Sequence, residues 1–235
     1  MSASAAIVRD VGVVIVAGGS GTRVGGEELK QFRWIAGKPM LLHSLQAFMF
    51  HPAVVSVVCV LPTAFAGDPP PWIFQCDVDR LMIAPGGRTR TESAANGLDD
   101  LPDEARIVLI HDAARPFIDD ATIERVITAA RTGAGAVAAL PVVDTLKRAS
   151  ADGAVTGTVE RASLWRAQTP QGFPRQLIVD AHHAARRDKV DATDDAALVE
   201  RIGGRVQLVR GSERLMKVTS EADFARAEAL FSLKD

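Results

Sequence analysis

The 235-residue sequence predicts an α/β fold in which a mostly parallel twisted sheet carries helices on both faces. Short apolar runs bounded by glycine or proline recur along the chain, and segments with helical spacing lie between them. Alternating strands and helices are typical of a doubly wound sheet. The hydrophobic content of 47% is enough for one substantial core, so we expect a single domain over residues 1–235.

The first half of the chain supplies most of the predicted sheet. Three segments with helical patterning separate the apolar runs, and the first of these begins directly after Lys38-Pro39. The predicted buried strands are residues 11–17, 54–61, 80–84, 107–111 and 136–141. The predicted helices are residues 40–51, 91–98 and 120–131.

Residues 143–166 interrupt this alternation. Asp152-Gly153 is a hairpin turn signal, and its flanks lack a helical apolar stripe. We therefore predict a projecting β-arm. The regular pattern then returns, with helices at 175–187 and 194–202, a strand at 206–209 and a last helix from Glu221.

Charge and composition exclude several classes of protein. Lys and Arg number 27 against 29 Asp and Glu, a formal net charge of -2, which gives no general attraction for nucleic acid or an anionic membrane. No apolar run approaches the roughly 20 residues of a membrane helix. Cys59 and Cys76 suggest neither a disulfide framework nor a zinc site, and Cys59 is expected to be buried. We expect a cytoplasmic protein with a local anion site.

A glycine-rich segment, Ala17-Gly18-Gly19-Ser20-Gly21-Thr22-Arg23, follows the first predicted strand. Glycines there let backbone N–H groups surround a phosphate. The segment lacks the Gly-Lys-Ser/Thr of a Walker loop, and Val24 replaces the third glycine of a dinucleotide fingerprint. Arg23 and Lys30 add two cations that suit a triphosphate, which favours nucleotidyl transfer. A turn with two solvated charges is the alternative.

Asp112 follows the predicted strand 107–111 at the edge of the sheet where open α/β folds bind ligands. One carboxylate there can hold Mg²⁺, because water and phosphate oxygens complete the octahedron. The alternative is a turn or helix-capping aspartate. The neighbouring His111 is interpreted as structural, and the sequence holds no histidine cluster or nucleophile elbow.

Several ordered motifs resemble the 2-C-methyl-D-erythritol 4-phosphate cytidylyltransferase family from about residue 11 to the end. The departures are Leu29, where the family usually has proline, and Arg88, where an acidic residue is frequent. The main motifs are the glycine-rich segment 17–23, Leu29-Lys30-Gln31-Phe32, His111-Asp112-Ala113-Ala114-Arg115-Pro116 and Leu215-Met216-Lys217-Val218-Thr219. Shorter matches are Gly86-Gly87 with Arg90 and Ser93, Asp144-Thr145-Leu146-Lys147, Glu160-Arg161, Gln168-Thr169-Pro170-Gln171 and Thr193-Asp194-Asp195.

The resemblance implies a Rossmann-like nucleotidyltransferase fold and CMP transfer from CTP to 2-C-methyl-D-erythritol 4-phosphate, with release of pyrophosphate, in non-mevalonate isoprenoid biosynthesis. It also implies Mg²⁺ or another divalent cation. Catalytic roles at the phosphates would fall to Arg23, Lys30, Arg161 and Lys217. Nucleotide binding would involve Ala17, Gly18, Gly19, Ser20, Gly21, Thr22, Gly87 and Ser93. Acceptor binding would involve Asp112, Arg115, Thr145, Arg161 and Lys217, with Asp112 also binding the metal.

The resemblance also implies a homodimer formed through the β-arm. Thr145 and Arg161 would then reach the acceptor pocket of the neighbouring subunit, near Arg115. Without the resemblance, an exposed salt-bridging arginine is the plainer interpretation of Arg161.

Other functions remain open at the level of sequence. A ribitol 5-phosphate cytidylyltransferase would use the same loop and cations, and a nucleotide-binding protein without turnover could retain them. A uridylyl- or guanylyltransferase matches the Asp112 and Lys217 motifs less well. An NAD-dependent oxidoreductase is disfavoured by Val24 in the fingerprint.

Overall fold

A computed structural model describes residues 8–19 and 29–232 of the chain. Helices α1 to α7 span Met40–Phe50, Thr63–Ala66, Arg90–Asp99, Asp120–Ala130, Arg175–Asp188, Asp195–Arg201 and Glu221–Ser232. Strands β1 to β6 span Val11–Val16, Trp34–Ile35, Lys38–Pro39, Val54–Leu61, Leu81–Pro85 and Ile107–Asp112. Strands β7 to β11 span Gly135–Pro141, Leu146–Ala149, Val155–Val159, Trp165–Pro174 and Val206–Arg210.

Seven strands form one sheet in the order β11-β7-β10-β6-β1-β4-β5. The pairs of β1 with β4 and β6, of β4 with β5 and of β7 with β11 are parallel. Strand β10 runs antiparallel between β6 and β7. The predicted, mostly parallel sheet is therefore confirmed, with one strand of opposite direction that the sequence pattern did not predict.

Helices cover both faces of this sheet, as predicted. Alternate residues of β1 take part in two separate apolar clusters: Val13 and Ile15 pack in the cluster that contains side chains of α1 and α4. Val14 packs on the other face with side chains of α3, α5 and α6. Because both faces are covered, β1 and the first four residues of β6 are continuous apolar runs without polar alternation.

The predicted arm contains the hairpin β8–β9, with Gly153 at φ +86° in the turn. Its predicted end at residue 166 is two residues too late, because Trp165 already pairs with Pro141 of the main sheet. No strand was predicted over Trp165–Pro174, because Pro170 and Gly172 interrupt the strand pattern and the register shifts between Ala167 and Gln171.

The last helix packs on the segment that carries Lys30. Phe224 joins a small apolar cluster with Ile35 and Met40, and the Arg33 guanidinium lies 3.9 Å from the centroid of the Phe224 ring. Arg33 Nη2 also donates to Glu221 Oε2 at 3.0 Å. Helix α7 thereby holds residues 33–40, which follow Lys30, in place.

No helix in the described residues is both long and apolar enough to cross a membrane. Cys59 is buried and Cys76 is half-buried, and both thiols are free. Burial raises the pKa of Cys76 to about 11, so this thiol stays protonated at neutral pH. The predicted burial of Cys59 is confirmed.

Candidate active site

A cleft of about 510 Å³ opens at the carboxyl ends of β1 and β6, next to the first turn of α3. This is the edge of an open α/β sheet at which ligands bind. Eight residues predicted for the site line it together: Ala17, Gly18, Gly19, Lys30, Gly87, Ser93, Asp112 and Lys217. Further lining residues, including Gln31, Arg88, Thr89, Arg90 and Thr219, were not among those predicted.

One wall of the cleft is made of closely packed backbone. A Cβ atom on Gly18 would lie 3.1 Å from both Gly86 Cα and Ser93 Oγ. Ser93 Oγ accepts a hydrogen bond from Gly87 N–H at 3.0 Å and donates to Thr89 O at 2.8 Å. The two glycine-containing turns therefore need glycine in order to approach each other, as the phosphate-binding interpretation requires.

Gln31 fixes the start of the glycine-rich segment. Its Nε2 donates to Ala17 O at 2.7 Å and to Gly19 O at 3.0 Å. Because Lys30 directly precedes Gln31 in sequence, these bonds also place Lys30 beside the glycines. The predictions for Ser20, Gly21, Thr22 and Arg23 concern positions outside the described residues.

Asp112 lies on the floor of the cleft between two cations. Its Oδ1 accepts from Arg90 Nε at 3.1 Å, and its Oδ2 accepts from Lys217 Nζ at 2.7 Å. Burial alone would raise the pKa of Asp112, but the charges of Arg90 and Lys217 outweigh it and hold the pKa well below its usual range. Asp112 is therefore a carboxylate at any pH near neutrality.

A second carboxylate lies behind the first. Arg90 Nη1 is 2.8 Å from Asp195 Oδ2, and Asp195 Oδ1 is 3.2 Å from His182 Nε2. Asp195 and His182 are both buried. Burial would raise the pKa of Asp195, and the Arg90 charge and the His182 hydrogen bond lower it overall. Arg90 thus joins two buried carboxylates.

His111 has a structural environment, in agreement with its interpretation from sequence. It is fully buried, with Nε2 3.0 Å from Arg115 O and Nδ1 3.2 Å from Thr169 Oγ1. The same hydroxyl accepts from the backbone N–H of Asp112 at 3.0 Å. Burial lowers the pKa of His111 to about 4, so the imidazole is neutral at pH 7 and helps to order the strand end.

Arg115 holds the segment that carries Lys217. Its Nη1 donates to Leu215 O at 2.6 Å, and Val218 N–H donates to Ala114 O at 2.8 Å. These bonds attach residues 215–219 to the loop after β6. The acceptor-binding role of Arg115 stays a prediction, and the contacts seen within this chain are those of a support for Lys217.

Thr145 and Arg161 are exposed on the arm and are not among the residues that line the described cleft. The Arg161 guanidinium donates to the carbonyl oxygen of Val143, which is a contact within the arm. Their predicted roles in the acceptor pocket of a second subunit stay predictions.

The donor set is compatible with a cation that takes most of its ligands from substrate. The described residues hold no group of three His, Cys, Asp or Glu side chains placed around one metal position. Asp112 has both oxygens in ion pairs, but a carboxylate offers about four lone-pair sites. Mg²⁺ commonly binds through one carboxylate with phosphate and water oxygens.

The two departures from the family pattern have local explanations. Leu29 packs against the main apolar cluster. Arg88 lies at the edge of the cleft with its Nη2 2.6 Å from Glu92 Oε1, so a neighbouring anion offsets the extra positive charge.

Sequence reasoning missed Arg90, Asp195 and His182 as members of the site. Arg90 and Asp195 belonged to recognised motifs, but nothing local showed that Arg90 would contact both Asp112, 22 positions further along the chain, and Asp195. Only the fold brings β6, α3, α5 and α6 together at this point.

The mixed sheet and the cleft at its carboxyl edge, lined by glycines, lysines and one aspartate, define a nucleotidyltransferase of Rossmann-like fold. The model of the family 2-C-methyl-D-erythritol 4-phosphate cytidylyltransferase matches residues 11–233. The chain belongs to this family, which confirms the resemblance inferred from the motifs.

Relatives and solved structures agree with this assignment. The chain is 38% identical over 225 residues to 2-C-methyl-D-erythritol 4-phosphate cytidylyltransferase of Syntrophus aciditrophicus, covering 94% of this chain and 96% of that protein. It is 45% identical to a bifunctional IspD/IspF enzyme of Paramagnetospirillum magneticum, of which it spans 56%. The crystal structure of the Thermus thermophilus cytidylyltransferase has a TM-score of 0.81 at 34% identity, with 95% and 100% of the two chains covered.

Proposed function

We propose that this chain transfers CMP from CTP to 2-C-methyl-D-erythritol 4-phosphate in non-mevalonate isoprenoid biosynthesis. The products are 4-(cytidine 5'-diphospho)-2-C-methyl-D-erythritol and pyrophosphate. The observation that carries the proposal is the convergence of Lys30, Lys217 and Asp112 on one cleft beside the glycine-lined wall.

The chemistry explains why the site needs no general base. The nucleophile is a phosphate monoester whose second pKa is about 6, so it is largely ionised at neutral pH. The difficulty is instead repulsion between two anions and the added charge on a five-coordinate phosphorus. The neutral, buried His111 is consistent with this requirement, because no step asks it to take a proton.

The cations of the chain have separate roles in the proposal. Lys30, together with Arg23, stabilises charge at the α-phosphate of CTP. Lys217 turns from Asp112 towards the phosphate of the acceptor; its side chain is 43% exposed, which leaves room for this movement. The turn at Gly18 supplies backbone N–H groups to the triphosphate, and the turn at Gly87, whose own N–H is bonded to Ser93 Oγ, packs beside it to form the nucleotide wall.

Asp112 would hold a divalent cation, Mg²⁺ by preference, through one carboxylate oxygen. When bound, the cation would neutralise phosphate charge and orient the triphosphate. Asp112 stays ionised for this purpose, and Arg90 keeps its carboxylate on the cleft floor.

The arm suggests how a complete site is built. Its exposed apolar side chains include Val143, Leu146 and Val155, and an isolated two-stranded hairpin is only marginally stable in water. We propose that a second copy of the chain packs on this arm and receives Thr145 and Arg161 near its acceptor pocket. We also propose a cytoplasmic location, in keeping with two free thiols.

The test measures pyrophosphate release from purified protein with Mg²⁺, each of the four nucleoside triphosphates, and either methylerythritol phosphate or ribitol 5-phosphate. We expect release with CTP and methylerythritol phosphate above all other pairs. A preference for ribitol 5-phosphate would show that this compound, and not methylerythritol phosphate, is the acceptor. Binding of CTP without turnover on either acceptor would indicate a non-catalytic nucleotide-binding protein.

A further inference from the structure

A chain of three ion pairs and one hydrogen bond runs from the open cleft into the interior. It consists of Lys217, Asp112, Arg90, Asp195 and His182, and successive members lie 2.7, 3.1, 2.8 and 3.2 Å apart. Exposure falls steeply along it: the side chain of Lys217 is 43% exposed and that of Asp195 only 1%. One end can meet substrate, and the other is fixed in the core.

We propose that Asp195 is a positioning residue that holds the Arg90 guanidinium on the cleft floor, so that Asp112 keeps one orientation while substrates bind. The inference rests on the proposed function, since it assigns a purpose to residues behind the same site. Asp195 itself touches no substrate in this proposal.

Arg90 is suited to be the bridge because its guanidinium is planar and offers donors in several directions. Nε faces Asp112 and Nη1 faces Asp195. Each of these ion pairs therefore limits rotation of the guanidinium away from the other carboxylate. Arg90 also lines the cleft. Without Asp195, the nearest strong anion for the freed side of the guanidinium would be the triphosphate of the nucleotide.

Asp195 is itself held firmly. Its backbone N–H and that of Ala196 donate to Gln171 Oε1 at 3.1 and 3.0 Å, which attaches the start of α6 to strand β10. Its Oδ1 meets His182 Nε2, a contact that fits a tautomer with the proton on Nε2. A carboxylate anchored at both backbone and side chain can transmit its position to Arg90.

The movement of Lys217 makes this support necessary. In the described structure Asp112 has a partner on each oxygen. When Lys217 turns to the acceptor phosphate, Arg90 remains as the ion-pair partner that orients Asp112. A shift of about 1 Å in a positioning contact can lower the rate by roughly a hundredfold.

Asp195→Asn tests the inference, because it removes the charge and keeps the size. We expect kcat to fall by about tenfold or more. CTP binding, measured by calorimetry without acceptor, should be no weaker than in the wild type, since the freed Arg90 faces the triphosphate. A general loss of structure would instead lower kcat and weaken CTP binding together. Glu200→Gln is the matched control, because it removes the charge of an exposed carboxylate on the same helix, α6.

Arg90→Lys tests the contact between Arg90 and Asp195 by changing Arg90 itself, because one ammonium group cannot contact both carboxylates as the guanidinium does. We expect a similar loss of kcat, and the double variant should lose no more than the worse single variant. Wild-type kcat in either folded variant, or losses that multiply in the double variant, would overturn the inference. Failure of the wild type itself in the pyrophosphate assay would instead overturn the proposed function.

Discussion

Lys217 Nζ lies 2.7 Å from Asp112 Oδ2, although 105 positions separate the two residues in sequence. The contact joins the end of strand β6 to the segment before α7, two elements that Arg115 and Val218 also connect. A lysine that neutralises the aspartate of a resting site, and can turn from it towards an incoming phosphate, needs this kind of partly exposed ion pair. Lys30 lines the same cleft from the opposite end of the chain.

Lys30→Ala should lower kcat by roughly a hundredfold, about 3 kcal/mol, because in the proposed mechanism Lys30 contacts the α-phosphate more strongly as charge develops in the transition state. The KM for CTP should change far less. Steady-state pyrophosphate release measures both. Lys38→Ala is the matched control, since Lys38 is an exposed lysine whose Nζ bonds Gln46 at 2.7 Å. Equal kcat in the Lys30 and Lys38 variants would remove Lys30 from the mechanism.

The sheet and most helices could be predicted because burial on both faces imposes continuous apolar runs, and glycine and proline mark their ends. Strand β4 was predicted with its observed bounds, Val54–Leu61, for this reason. Strand β10 was missed because its pairing with β6 and β7 tolerates Pro170 at a register shift. That pairing is a property of the assembled sheet, and no local pattern contains it.

The residues of the site also divide into those that local sequence patterns predict and those that only the assembled fold reveals. Lys30, Asp112 and Lys217 stand in recognisable motifs and were predicted, and the fold brings them to one cleft. Asp195 and His182 support the site through Arg90 from behind. Asp195 belongs to the motif Thr193-Asp194-Asp195, but neither this motif nor the position of His182 indicates a contact with Arg90. Only the packing of α5 and α6 against α3 reveals their relation to Asp112.

Asp112→Asn should remove a contribution to stability that depends on pH in a defined direction. Burial opposes ionisation, but Arg90 and Lys217 hold the folded-state pKa of Asp112 below the unfolded value of about 4. The ion pairs therefore contribute fully above about pH 4, and their contribution is lost as the pH falls through the folded-state value. At pH 7 the variant should be less stable by roughly 2 kcal/mol, below the 3 to 5 kcal/mol of a fully buried pair, because Lys217 is 43% exposed.

Thermal or urea unfolding at pH 7 and pH 3 checks the prediction for Asp112. The difference between wild type and variant should shrink at the lower pH. Asp68→Asn is the control, because Asp68 is exposed and its variant should follow the wild type at both values. A difference that stays constant from pH 7 to pH 3 would show that the ion pairs do not stabilise the fold.

Gly87→Ala should weaken CTP binding. A Cβ at this position would lie 2.3 Å from Glu92 Cβ and 3.0 Å from the Glu92 carbonyl carbon, so the turn before α3 must shift. Ser93 Oγ would then lose its bond from Gly87 N–H. We expect the KM for CTP to rise by about tenfold, which corresponds to about 1.4 kcal/mol. Gly67→Ala has open space for its Cβ and should leave KM unchanged; a rise of the same size in both variants would contradict the explanation.

Arg161→Ala and Lys30→Ala should complement each other if the arm of one subunit completes the site of its neighbour. Each variant alone lacks one cation at every site, but a mixed dimer would contain one site with both. Random mixing of equal amounts gives about half mixed dimers, each with one intact site of two, so activity should recover to about a quarter of the wild type. Arg148→Ala, an exposed arginine on strand β8 of the same arm, should keep full activity alone. Mixtures that stay as inactive as the separate variants, after subunit exchange has been verified by mass, would contradict a shared site and leave Arg161 with its bond to Val143 within one arm.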